Sequence, residues 1–154
     1  MRCPPNLKLP SFRLVTASPD AIDAPAANAA PAALAPPDAS APWVVCLCAE
    51  WCGACREYKP LFEQVARANP TFRFAWVDIE DHADIADDFD VETFPTLLVA
   101  GLDGTRFAGP LLPHAETLNR LLSALQPAQP AAPEVTVLLE ALEASPATFL
   151  VAAP

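Results

Sequence analysis

Proline sets the first limit on how this chain can fold. Most of its 19 prolines stand before Trp43 or after Leu125. Each proline removes a backbone donor and fixes φ, so long helices and central strands do not run through the crowded ends. From Ala17 to Pro42 the chain is an alanine-proline run, with prolines at 19, 25, 31, 36, 37 and 42. We read residues 1–42 as an Ala/Pro-rich N-terminal segment with room for one short strand at Phe12 to Val15. A folded domain over 43–125 follows, and 126–154 reads as a Pro/Ala linker with a short amphipathic segment. The 154 residues are enough for one domain with a real core and few for two.

Between those ends the pattern alternates strands and helices. Trp43-Val44-Val45-Cys46-Leu47-Cys48-Ala49 is a continuous apolar run of strand length, as a strand covered on both faces requires. Leu61, Phe62, Val65 and Ala66 then recur at helical spacing, which predicts a helix from about Cys52 to Ala68, bent at Pro60 and ended by Asn69-Pro70. Strands are expected at Phe72 to Ile79 and at Pro95 to Ala100, with a short acidic helix at Ala83 to Phe89 between them. A turn at Leu102 to Thr105 leads into an edge strand at Arg106 to Ala108. Leu118, Leu121, Leu122 and Leu125 predict a closing helix over Ala115 to Leu125. In the tail, Val135, Leu138, Leu139 and Leu142 fall at i, i+3, i+4 and i+7, a stripe that most often packs on its own domain.

Charge narrows the partners. Acids outnumber bases 19 to 9, a net charge of −10, which has the wrong sign for a phosphate backbone, so no nucleic-acid partner is expected. The densest acids, Asp78, Glu80, Asp81, Asp84, Asp87, Asp88, Asp90 and Glu92, read as a solvated helix face with its loops. No apolar stretch approaches the roughly 20 residues that cross a bilayer. Nor does Met1 to Val15 hold the unbroken apolar run of a secretory leader, so the cytoplasm is the expected location and no membrane partner is expected. In a reducing compartment, five cysteines suggest catalytic thiols, metal ligands or buried free thiols ahead of structural disulfides.

Chemistry concentrates in Trp51-Cys52-Gly53-Ala54-Cys55. Two cysteines at i and i+3 where a strand gives way to a helix sit within one turn, so their sulfurs can approach disulfide distance. Cys52, at the first turn, faces backbone N–H groups without intrahelical partners and the positive end of the helix dipole, both of which favour thiolate. Cys52 is therefore the candidate nucleophile for a partner disulfide, and Cys55 the thiol that resolves the mixed disulfide. A zinc site of Cys46, Cys48, Cys52 and Cys55 is the weaker alternative, because a strand that turns the first two into a packed sheet places them poorly to converge with a helix-start pair. His82 and His114 show no ligand spacing.

Ala49-Glu50-Trp51-Cys52-Gly53-Ala54-Cys55 followed by Pro60 resembles the active-site segment of the thioredoxin family, and Phe94-Pro95-Thr96 resembles its second signature. The resemblance spans about Trp43 to Leu125. It implies a thioredoxin-like α/β fold, a central mixed sheet with helices on both faces. By the same resemblance Pro95 is a cis-proline against the active-site disulfide, Phe94 offers backbone groups to a bound peptide, and Gly109 matches the glycine near the substrate groove. Trp51, Gly53 and Ala54 complete the expected substrate contacts. The implied function is protein-disulfide reduction by a thiol-disulfide oxidoreductase. It would use the redox-active Cys52–Cys55 disulfide and no bound cofactor or metal, act as a monomer, and need protein disulfide substrates and an electron donor. A binding or assembly module with incidental thiols is the competing class.

The sequence departs from the family at three places. Ala54 stands where thioredoxin typically has proline, which shifts the expected redox poise toward a more oxidising value. Cys46 aligns with the family's buried aspartate and Trp76 with a buried lysine near it, so both ends of that proton relay are missing and slower resolution is expected, helped by water, Glu50 or Cys46 itself. Cys48 replaces a large aromatic. Cys46 and Cys48 share one strand face, and as a pair they read first as two small buried hydrophobes.

Overall fold

The structure, a computed structural model, describes residues 38–151. The expected strand at Phe12 to Val15, most of the Ala/Pro segment, and Cys3 lie outside the described residues. The elements in chain order are β1 (Trp43–Cys48), α1 (Gly53–Ala68), β2 (Arg73–Asp78), α2 (Ala83–Ala86), β3 (Thr96–Gly101), β4 (Gly104–Pro110), α3 (Ala115–Ser123), α4 (Pro133–Ala144) and α5 (Pro146–Phe149).

The four strands form one mixed sheet in the order β2-β1-β3-β4, with β1 parallel to β2 and antiparallel to β3, and β3 antiparallel to β4. A parallel pair needs a crossover, and α1 supplies it between β1 and β2. Every residue of β1 is buried, in keeping with its unbroken apolar run. Because side chains alternate along a strand, β1 presents Val44, Cys46 and Cys48 to one face and Trp43, Val45 and Leu47 to the other.

The first face packs on α1. Val44 pairs with Phe74 and Cys46 with Trp76 across the β1–β2 ladder, and Phe62 of α1 meets those two rings at 5.3 and 5.6 Å between centroids. The second face packs on α4: the Trp43 indole donates to Glu143 Oε1 at 2.9 Å, and Leu138 and Leu142 are fully buried. Helices thus cover both faces of a mixed sheet, the thioredoxin-like arrangement.

Local differences from the sequence reading have physical causes. Helix α1 begins at Gly53, with Cys52 as its extended N-cap residue. Helix α2 is only four residues long, because Asp84, Asp87 and Asp88 put like charges at helical spacing and no basic residue offsets the negative C-terminal end. Helix α3 stops at Ser123, two residues early. Beyond the break at Ser145-Pro146 the chain re-forms as α5, and Leu150 then bridges antiparallel to Ala75 on the outer side of β2. At the opposite edge, Gln129 exchanges backbone hydrogen bonds with Thr105 of β4, both 2.8 Å. The tail therefore covers part of each edge of the sheet, where unpaired strand groups would otherwise stand open. Among the described residues no helix is long and apolar enough to cross a membrane.

Candidate active site

Strand β1 ends at Cys48 and the chain turns through Ala49, Glu50 and Trp51 into α1. The Cys52 amide donates to the Ala49 carbonyl at 3.0 Å, closing the turn, and the Cys52 carbonyl accepts the first helical bond from Arg56 at 3.2 Å. The Cys52 side chain makes no capping hydrogen bond at this helix start, and no acid lies in the first turn. The positive end of the α1 dipole at Cys52 is therefore not offset by a first-turn carboxylate.

Cys52 and Cys55 are both buried. Cys46, Cys48 and Cys55 are free thiols, whereas Cys52 is disulfide-bonded, so the motif pair is not closed on itself in this structure. The Cys55 thiol is pushed up out of its ordinary range, first by interaction with the Cys48 thiol and then by burial, with the Ala49 backbone opposing. Burial likewise raises Cys48, and Cys46 is raised by burial above all. The Cys46 and Cys48 sulfurs are 3.5 Å apart.

Trp51 is 46% exposed and stands edge-on to Phe94, ring centroids 5.6 Å apart, while its indole donates to Glu80 Oε1 at 2.9 Å. The Phe94-Pro95 peptide bond is cis, and both residues are buried just before β3. Two segments far apart in sequence, the cysteine turn and the start of β3, thus meet through Trp51 and Phe94. Gly53 and Ala54 are half-buried, and nothing stands within 4 Å of a Cβ placed on Gly53. Gly109 lies on edge strand β4 opposite Leu97, with β3 between it and β1.

The structure adds three residues that sequence reasoning did not assign to the site. Tyr58, one turn beyond Cys55 on the buried face of α1, carries a hydroxyl without a hydrogen-bond partner among the described residues, and Cys46 and Cys48 add to burial in raising its pKa. The helical spacing of Cys55 and Tyr58 was the signal that could have found it. Asp78 pairs in register with Cys48, and its charge disfavours ionisation of Cys48 and Cys55. Glu80 reaches Trp51 from the loop after β2, which nothing in the acidic run marks. Among the described residues no group of three or more His, Cys, Asp or Glu is placed to hold a metal. A largely apolar groove of about 550 Å³, lined by Trp43, Leu102, Leu139 and Glu143 among others, includes none of the cysteines.

Comparison with known proteins points the same way. The family model described as Thioredoxin matches residues 34–111, half of the chain. A Streptomyces coelicolor protein that carries a thioredoxin name is 40% identical over 68 residues, 44% of this chain and 51% of the relative. Thioredoxin C-3 of Corynebacterium nephridii is 41% identical over 58 residues, 38% of this chain and 40% of the relative. The chain thus matches about half or less of the length of these relatives. Among solved structures, the germline-specific thioredoxin Deadhead of Drosophila melanogaster superposes with a TM-score of 0.50 at 16% identity, over 55% of this chain and 80% of that one. That likeness bears on the fold alone.

Proposed function

Since the chain belongs to the thioredoxin family, we propose that it reduces disulfides in protein partners by reversible exchange through Cys52 and Cys55. The observation that carries this reading is the position of Cys52 as the N-cap residue of α1, shortly after the central strand and with Cys55 one turn inside. From the reduced pair, the Cys52 thiolate attacks one sulfur of a partner disulfide and releases the other as a thiol. Cys55 then attacks Cys52, freeing the partner as a dithiol and leaving a Cys52–Cys55 disulfide for an electron donor to reduce.

Trp51 and Phe94 form one wall beside the pair, and a partner strand lying along it contacts Gly53, Ala54 and Pro95, with Gly109 further along the sheet edge. Ala54 in place of proline moves the pair toward a more oxidising poise. No bound cofactor enters the cycle, and the protein works as a monomer in the cytoplasm.

The test is equilibration of the full chain across glutathione redox buffers, followed by alkylation and mass mapping of each cysteine. The expected result is a Cys52–Cys55 disulfide that titrates reversibly. Cys52→Ser then abolishes insulin reduction and Cys55→Ser accumulates a mixed disulfide. Absence of the reversible disulfide, with partner binding intact in both variants, would replace exchange by a binding role.

A further inference from the structure

Cys46, Cys48 and Cys55 are three buried free thiols on the α1 side of the sheet. Residues two apart on a strand share a face, and here that places the Cys46 and Cys48 sulfurs 3.5 Å apart. Cys48 also interacts with the Cys55 side chain arriving from the first turn of α1. A file of sulfurs therefore runs from the motif into the core, flanked by the unpartnered Tyr58 hydroxyl. Burial of small apolar side chains explains why cysteine is tolerated at 46 and 48. It does not require that the thiol at 48 bridge between a second buried thiol and the resolving residue of a redox pair.

We propose that Cys48 is a third redox thiol of this site, forming an internal Cys48–Cys55 disulfide by exchange with the Cys52–Cys55 disulfide. The Cys48 sulfur attacks the Cys55 sulfur, the Cys48–Cys55 bond forms as the Cys52–Cys55 bond breaks, and the proton of Cys48 ends on Cys52. One disulfide is exchanged for another, so the step needs no outside oxidant or reductant. The inference rests on the exchange role proposed above for Cys52 and Cys55. Its consequence is that an oxidising equivalent withdraws from the motif into the core, leaving Cys52 as a thiol. Because burial keeps Cys48 protonated, the transfer is slow and the internal pair serves as a reserve between turnovers.

The test uses the full chain, oxidised with oxidised glutathione and sampled over hours, quenched in acid, and alkylated under denaturing conditions. Trypsin after Arg13 and a glutamate-specific protease after Glu50 place Cys46 and Cys48 on one fragment and Cys52 and Cys55 on another. The expected result is a slowly growing fraction in which these fragments are joined, with Cys55 at the junction and Cys52 alkylated. The joined species persists in Cys46→Ala and is lost in both Cys48→Ala and Cys48→Ser. If Cys52–Cys55 forms completely and the fragments never join, or if joining survives both Cys48 substitutions, the internal pair is overturned while the dithiol reading stands. If Cys52–Cys55 does not form in any of the proteins, the exchange reading fails and takes the internal pair with it.

Discussion

Arg73 and Glu143 form a two-pronged ion pair that fastens β2 to α4, with Nη1 to Oε2 at 2.9 Å and Nη2 to Oε1 at 2.5 Å. The guanidinium also lies over the Trp43 ring at 4.2 Å, and its Nε donates to the Ala41 carbonyl. One buried cation is thereby satisfied by two segments of chain, around Ala41–Trp43 and at Glu143, that are far apart in sequence. Glu143→Gln keeps the shape and removes the charge, leaving Arg73 buried with a weaker partner. We expect a loss of about 1–2 kcal/mol by denaturant unfolding, less than for a fully buried pair because Glu143 is partly exposed and screened.

The same pair carries a pH signature. Arg73 holds the Glu143 carboxyl below its usual 4.5, with Trp43 adding to the effect. A depressed folded-state pKa stabilises the protein at pH above the unfolded value, and that stabilisation is lost as pH falls through the folded value. The stability gap between wild type and Glu143→Gln is therefore constant above about pH 4.5 and shrinks in more acid solution. A gap unchanged down to pH 2 would mean that the ion pair is not its source.

Resolution by Cys55 should depend steeply on pH. The Cys48 thiol and burial keep Cys55 protonated at neutral pH, so its thiolate fraction rises about tenfold per pH unit. Decay of a preformed mixed disulfide at Cys52 should accelerate accordingly from pH 7 to 9 without a plateau, and Cys48→Ala should speed decay at pH 7. Rapid-quench alkylation measures both; a plateau below pH 8 would show that Cys55 ionises readily.

Tyr58→Phe should leave stability unchanged or raise it by about 1 kcal/mol. The hydroxyl is buried without a partner, so removing it ends a desolvation cost while the ring contacts with Phe62 and Trp76 remain. Thermal unfolding checks the sign, and a clear loss of stability would reveal a hydrogen bond that the hydroxyl makes in solution.

Two glycines should answer oppositely to alanine. Gly104 has φ 122°, and a Cβ there would stand 2.1 Å from the Gln129 carbonyl oxygen, in the bridge that covers the β4 edge. Gly104→Ala should cost roughly 2 kcal/mol or more and expose the Thr105 amide to hydrogen exchange. Gly53→Ala meets open space at the first helical position and should preserve stability; a comparable loss there would contradict the geometry of the turn.

Much of this protein is legible in its residue order. The apolar run at 43–49, the helical spacing through Leu61 to Ala66 and the placement of Cys52 and Cys55 at their junction are local patterns. Strand and helix periodicities, with the free amides at a helix start, follow from backbone geometry alone. Those patterns located the sheet, its crossover helix and the cysteine pair at their junction.

Other features arise only when distant segments meet. Trp43 and Glu143 are 100 residues apart, and Trp51 and Glu80 are 29 apart. Neither pair carries a local mark, because a hydrogen bond depends on where side chains end in space and not on their spacing along the chain. The docking of Leu150 beside Ala75 and of Gln129 beside Thr105 was hidden for the same reason. So was the placement of Cys48 against both Cys46 and Cys55: the strand put two thiols on one face, but only the packing of α1 on that face brought the third. Sequence determined where the cysteine pair stands, because strand and helix periodicity are local; tertiary packing decided which groups surround it, and the burial it imposes holds the protons on Cys46 and Cys48, as the Cys48 thiol and burial do on Cys55.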